Sequence, residues 1–156
     1  MKRTVLVVAA LLLPTTSFAG DVDPRIGRIT KIHIVAKDSL KDDQPVAACV
    51  LKHLPTALPM LTAVDVSEAD ATLQIEAKVY GDTSRSFGAL IGGQDSVALG
   101  AVVTSLLIDG KTIWKDRTSV DAGSRNKRTM EDDQCSLADA AIGDLRKVLR
   151  KARDRK

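Results

Sequence analysis

Aromatic residues are scarce in this chain: they make up 3% of 156 positions, with a single tryptophan and a single tyrosine. That scarcity argues against stacking platforms for nucleic acid or sugar. Histidine and cysteine are nearly as rare, at two each, and no HExxH, CxxC or GxSxG pattern occurs. The signatures of a zinc hydrolase, a dithiol redox centre and a serine-hydrolase elbow are therefore missing. A GxGxxG phosphate cradle is missing too, so neither a metal nor a cofactor is expected. No apolar run approaches the ~20 residues of a membrane-spanning helix. There is no excess of one charge that would mark a nucleic-acid binder: 23 Lys and Arg stand against 20 Asp and Glu. What remains is an apolar share of 44%, enough for the core of one ordinary domain.

The first nineteen residues read as an export signal. Lys2 and Arg3 form a positive head, Val5 to Leu13 an unbroken apolar stretch, and Pro14 stops it. Ser17-Phe18-Ala19 then places small residues where a signal peptidase needs them, which predicts cleavage after Ala19. The next residue is Gly20 and not Cys, so no lipid anchor is expected, and the mature chain reads as soluble, periplasmic or secreted. Removing residues 1–19 leaves 21 basic against 20 acidic residues, since the segment holds two basic and no acidic ones. Long-range steering towards nucleic acid is not supported.

Export sets the reading of Cys49 and Cys135. In an oxidising compartment, two cysteines in the mature chain are most simply one disulfide. Closing a loop of more than eighty residues, it stabilises the fold by roughly 4 kcal/mol in the chain-entropy view. A reactive thiol would need a CxxC partner or an adjacent base, and neither is evident.

Residues 20–27 are polar and read as a flexible leader, with a single domain over 28–156. Arg28 to Ala36 alternates as a strand, with Thr30, Ile32, Ile34 and Ala36 on one face. Pro45 suits the first turn of a helix, with Asp42 and Asp43 beside the positive end of its dipole. Val46, Cys49, Val50 and Leu54 give that helix an apolar stripe, and Pro55 and Pro59 are expected to end it. Ala71 to Tyr80 alternates without a fault and predicts an antiparallel strand with one wet face. Leu61 to Val66 is either a short extra strand or an extended lead-in. Ser96 to Ile108 is apolar on both faces, Asp109-Gly110 is a two-residue hairpin turn, and Lys111 to Val120 returns with Trp114.

A polar loop is expected over 121–134. The last helix is then capped by Ser136 with Asp139, and its stripe runs through Leu137, Ala141, Leu145, Leu149 and Ala152. The order β-α-β-β-β-α predicts an α+β two-layer sandwich. Its sheet has three or four mainly antiparallel strands, with two helices on one face. If the helices lie side by side, Cys49 and Cys135 can meet.

Ala69-Asp70-Ala71-Thr72-Leu73 opens one strand, and Leu106-Leu107-Ile108-Asp109-Gly110-Lys111-Thr112-Ile113-Trp114 spans the hairpin. These residues resemble small envelope domains of Gram-negative bacteria. Examples are the curli-secretion channel subunit, penicillin-binding-protein activators and uncharacterised outer-membrane lipoproteins. The resemblance covers residues 28–152 in layout. It implies an adaptor or assembly role in the periplasm and carries no shared catalytic residues. Two features depart from the pattern: the lipidated cysteine is missing, and the hairpin is tighter than the usual form.

Candidate sites are few. His33 and His53 read as surface or helix-end histidines. The acid pairs Asp42/Asp43 and Glu131/Asp132/Asp133 could serve acid–base chemistry, yet both precede a helix, where negative charge is stabilising anyway. The apolar loop Phe87, Gly88, Ala89, Leu90, Ile91, Gly92, Gly93 is either a partner-binding element or a lid folded over the sheet. In the basic run at the carboxy terminus, Arg146, Lys147, Arg150 and Lys151 are anion-binding candidates; otherwise they form a solvated helix face. The reading that results is a non-catalytic periplasmic binding or envelope-assembly module with an envelope protein as partner. Two alternatives stay open: a small secreted inhibitor or enzyme with an unconventional acid site, and a peripheral binder of anionic lipid.

Overall fold

Period-two alternation builds most of the sheet, and the computed structural model describes residues 22–38, 42–80, 98–121 and 129–154. Its strands are β1 (Lys31–Ala36), β2 (Thr62–Ala63), β3 (Ala71–Val79), β4 (Ala98–Ile108) and β5 (Lys111–Asp121). They form one sheet in the order β2-β1-β3-β4-β5. Helix α1 (Asp43–Ala57) links β1 to β2, and helix α2 (Met130–Arg153) closes the chain. The signal segment 1–19 and the loop 87–93 lie outside the described residues.

Two layers form because β3 buries Ala71, Leu73, Ile75 and Ala77 while Thr72, Gln74 and Glu76 stay half exposed. Val46, Val50 and Leu54 of α1 join that core with Leu137, Ala141, Leu145 and Leu149 of α2. Both helices therefore cover the same face of an α+β sandwich.

The sheet has five strands where three or four were expected, and it is mixed. β1 pairs in parallel with both β2 and β3, whereas β3–β4 and β4–β5 are antiparallel. The extra strand is the two-residue β2, too short to leave a periodic signal. Parallel pairing follows from α1, a crossover that carries the chain back to the starting end of β1.

The β4–β5 hairpin turns at Asp109 and Gly110 with φ of 52° and 72°, the left-handed pair that the Asp-Gly sequence favours. Gly100 is needed for packing: a Cβ there would sit 2.5 Å from the Lys78 carbonyl oxygen and 3.1 Å from Leu137 Cδ1. Of the expected leader, residues 22–27 do pack against the domain. Pro24–Arg28 form a 3-10 turn capped by Asp23, and Ile26 within it is fully buried.

The helix boundaries also differ from the sequence reading. α1 runs past Pro55 to Ala57. The carbonyl that Pro55 cannot bond belongs to Leu51, half of whose surface is exposed, so water can take the missing partner's place. α2 starts six residues before Ser136. Its cap is Thr129, whose hydroxyl accepts from the Asp132 N–H while the Asp132 carboxylate accepts from the Thr129 N–H at 2.9 Å. Glu131, Asp132 and Asp133 thus occupy the first turn itself, where the dipole favours them.

Candidate functional site

The acid pair at the start of α1 is structural. β1 ends at Ala36, so the β3 amides beyond Ile75 have no strand partner on that side. The Asp43 carboxylate, fully buried, takes their place: Oδ1 accepts from the Ala77 N–H at 2.7 Å and Oδ2 from the Asp38 N–H at 3.2 Å. Asp42 Oδ2 accepts from the Val79 N–H at 3.0 Å. Neither side chain makes a capping hydrogen bond to the helix that follows, although Asp42 at the N-cap and Asp43 in the first turn do stand at the positive end of its dipole, as expected.

Asp70 plays a similar part at the other end of the sheet. One of its oxygens accepts from the Thr30 N–H and the Lys31 N–H, both at 2.9 Å, and from the Thr30 hydroxyl at 3.1 Å. These bonds, first from the Thr30 amide and then from the Lys31 amide, hold its carboxyl below the usual carboxylate value.

α1 and α2 are joined by three successive rungs. Cys49 and Cys135 form a disulfide, with Cα atoms 5.2 Å apart. One turn further along each helix, His53 Nδ1 meets Asp139 Oδ1 at 2.8 Å. Beyond that, Arg146 Nη2 donates to the Ala57 carbonyl at 2.7 Å and so caps the last turn of α1. Residue numbers rise together along both helices, so α1 and α2 run parallel. A disulfide is the chemistry of an oxidising compartment.

The other candidates are mostly committed to neighbours. His33 Nδ1 lies 3.1 Å from the Val64 carbonyl, which can only accept, so that nitrogen carries the proton. Lys147 pairs with the buried Asp144 at 3.0 Å, and the Thr118 hydroxyl donates to the same carboxylate. Arg150 Nε approaches Asp154 at 4.0 Å. Arg146, Lys147, Arg150 and Lys151, with Asp154, line a shallow concavity of about 430 Å³. Of those four cations, Lys151 alone has no such partner among the described residues. No group of three or more potential metal ligands gathers there, and no helix there is long and apolar enough to cross a membrane.

A second surface was not singled out from the sequence. The sheet face away from the helices carries Gln74, Glu76 and Lys78 on β3. Opposite them on β4 are Ser105, Val103 and Ala101, and next on β5 are Lys115, Arg117 and Ser119. A concavity of about 500 Å³ lies over part of this grid, lined by Glu76, Lys78, Ala101, Val103 and Arg117 and reaching Asp42 and Tyr80. The Lys37 ammonium donates to Glu76 at 2.7 Å. That bond, aided by the charges of Lys37, Lys115 and Arg117, holds the Glu76 carboxyl below its usual value. The sequence signal for this surface was the wet half of β3, which reads as ordinary solvation until the register aligns it with β4, a strand apolar on both faces, and with β5.

No family model matches the chain, and no curated protein matches it. Among solved structures, the chain is similar to a single-substitution variant of a PelC dodecamer from Paraburkholderia phytofirmans. The identity is 11%, the match covers 74% of this chain and 85% of that one, and the TM-score is 0.49. A Caulobacter crescentus chain described as a lipoprotein is 17% identical, with 84% and 90% covered and a TM-score of 0.40. An uncharacterized lipoprotein B from Nitrosomonas europaea is 13% identical, with 80% and 81% covered and a TM-score of 0.33.

Proposed function

We propose that this chain is exported, released from its leader after Ala19, and serves as a non-catalytic binding module of the cell envelope. The observation that carries the reading is the asymmetry of the sandwich. Among the described residues, both helices cover one face, while the other face presents a charged concavity of about 500 Å³. The carboxylates nearest to it are occupied: Asp42 by the Val79 amide and Glu76 by Lys37. The acid triplet on α2 is no better placed for chemistry, because Asp132 closes the capping box. Supporting export are the amino-terminal signal pattern and the Cys49–Cys135 bond.

A photo-crosslinking side chain placed at Val103, on the open face, tests this in living cells against one placed at Arg150 on the outer face of α2. Discrete adducts from Val103 and none from Arg150 are expected. Adducts from neither position, or from Arg150 alone, contradict the proposal.

A further inference from the structure

We infer that the open sheet face is a trough for a single extended strand of an acidic polysaccharide, running along β4. This rests on the reading of the chain as an exported binding module and names what that module binds. The trough follows from register. β4 contributes Ala101, Val103 and Ser105 to this face, all short, while its neighbours carry Lys78 on one side and Lys115 and Arg117 on the other. Strands sit ~4.8 Å apart, so the two walls stand about 10 Å from each other, the width of one extended chain and too narrow for a folded domain.

The charge of the trough selects an anion. Lys78 and Arg117 line it with the carboxylates of Asp42 and Glu76, and Lys37 and Lys115 stand close to Glu76. Lys37 is matched to Glu76, while the Val79 amide bonds Asp42 without cancelling its charge; set against Asp42, the three wall cations Lys78, Lys115 and Arg117 leave an excess of two positive charges for a ligand. Lys78 also reaches over the Tyr80 ring, 5.9 Å from its centre, which holds it at the mouth of the trough.

The backbone selects a sugar over a peptide. β4 is paired on both edges along this stretch, and the β3 amides of Ala77 and Val79 are taken by Asp43 and Asp42. An extended peptide gains nothing here by adding a strand. What the face offers is side-chain chemistry: the exposed Ser119 hydroxyl and the half-buried Gln74 amide, with cations on either side. That set suits a chain of hydroxyls bearing a carboxylate at each sugar. Recognition is by charge and hydrogen bonds, consistent with the shortage of aromatic rings.

The test is binding of the disulfide-bonded mature protein to oligogalacturonate at low and high salt, by titration calorimetry. Polyglutamate of similar length, neutral dextran and vesicles containing anionic phospholipid serve as competitors. Binding to oligogalacturonate is expected, weakened at least about tenfold by K115E/R117E and weakened again by added salt. K147E/K151E on α2 should leave it unchanged. Equal affinity for polyglutamate, with the same loss on K115E/R117E, overturns the choice of a sugar. Preference for the vesicles, abolished by K147E/K151E, overturns the choice of face. Binding to none of the probes by a protein that is exported and oxidised overturns the inference and leaves the envelope module standing. A protein that is not exported removes the premise, and intact mass after fractionation reads that separately.

Discussion

Three polar side chains tune a fold whose buried residues are otherwise mostly apolar. Asp43 is a fully buried carboxylate that replaces the missing end of β1 by bonding two amides, those of Ala77 and Asp38. Asp43→Ala leaves the Ala77 amide with no partner and should cost about 3 kcal/mol, read by urea denaturation. Asp70 is exposed, yet it pins the start of β1 through Thr30 and Lys31. Its folded carboxyl titrates below the ordinary value of 3.8, so its contribution is complete above that value and disappears as the pH falls through the folded value. Asp70→Asn should therefore cost about 1 kcal/mol at pH 7, and the gap from wild type should close in unfolding measurements carried down through pH 4 towards pH 2. Thr104 is the opposite case, for its buried hydroxyl has no partner among the described residues. Thr104→Val keeps the shape and removes the desolvated group, and should raise stability by about 1 kcal/mol in the same assay. Asp42, Asp43 and Asp70 were visible in the sequence as acids; most of their partners were not, because Ala77, Val79, Thr30 and Lys31 are distant in chain order and come together with them only in the fold.

At the level of elements, most of the secondary structure was legible and the ends were not. The alternation of Ala71 to Val79, the Asp109-Gly110 turn and the stripe of α2 are local signals, and each element formed where its pattern placed it. Two boundaries failed for opposite reasons. Ser136 and Asp139 matched the capping pattern, but Thr129 and Asp132 matched it as well and stood nearer the acids that the dipole prefers. Pro55 was read as a stop, yet a proline in the last turn removes only a bond to Leu51, on the solvent side. The packing of α1 and α2 on one face follows from their apolar stripes, and the Cys49–Cys135 bond fits helices lying side by side. The parallel direction does not follow from the stripes, since it is set by the His53–Asp139 and Arg146–Ala57 rungs. Cys49→Ser/Cys135→Ser should lower stability by about 4 kcal/mol, seen as a lower urea midpoint, and reductant should shift wild type to the same point. His53→Ala should add less than about 1 kcal/mol to that loss, since the Asp139 side is well exposed.

For the whole molecule, the layering was more legible in the sequence than the sheet face away from the helices. Patterned strands and two amphipathic helices already imply a sandwich. Two cysteines, read as belonging to an oxidising compartment, already suggest the bridge that Cys49 and Cys135 form. The open face emerged only when Glu76, Val103 and Arg117, distant in sequence, fell into one row across three strands. A face of this kind is a property of register, and register is settled by long-range pairing, not by any local motif. The short β2 is the same lesson on a smaller scale: Thr62–Ala63 joins the sheet because α1 returns the chain beside β1.

The central claim is an exported, disulfide-stapled binding module, and intact mass of the protein recovered from the periplasm tests it most directly. The measurement is made before and after reduction, with thiol alkylation in each case. The account predicts a chain beginning at Gly20, lighter by two hydrogens than its reduced form, that takes up alkylating agent only after reduction. A full-length chain in the cytoplasm with both Cys49 and Cys135 open to alkylation would contradict it.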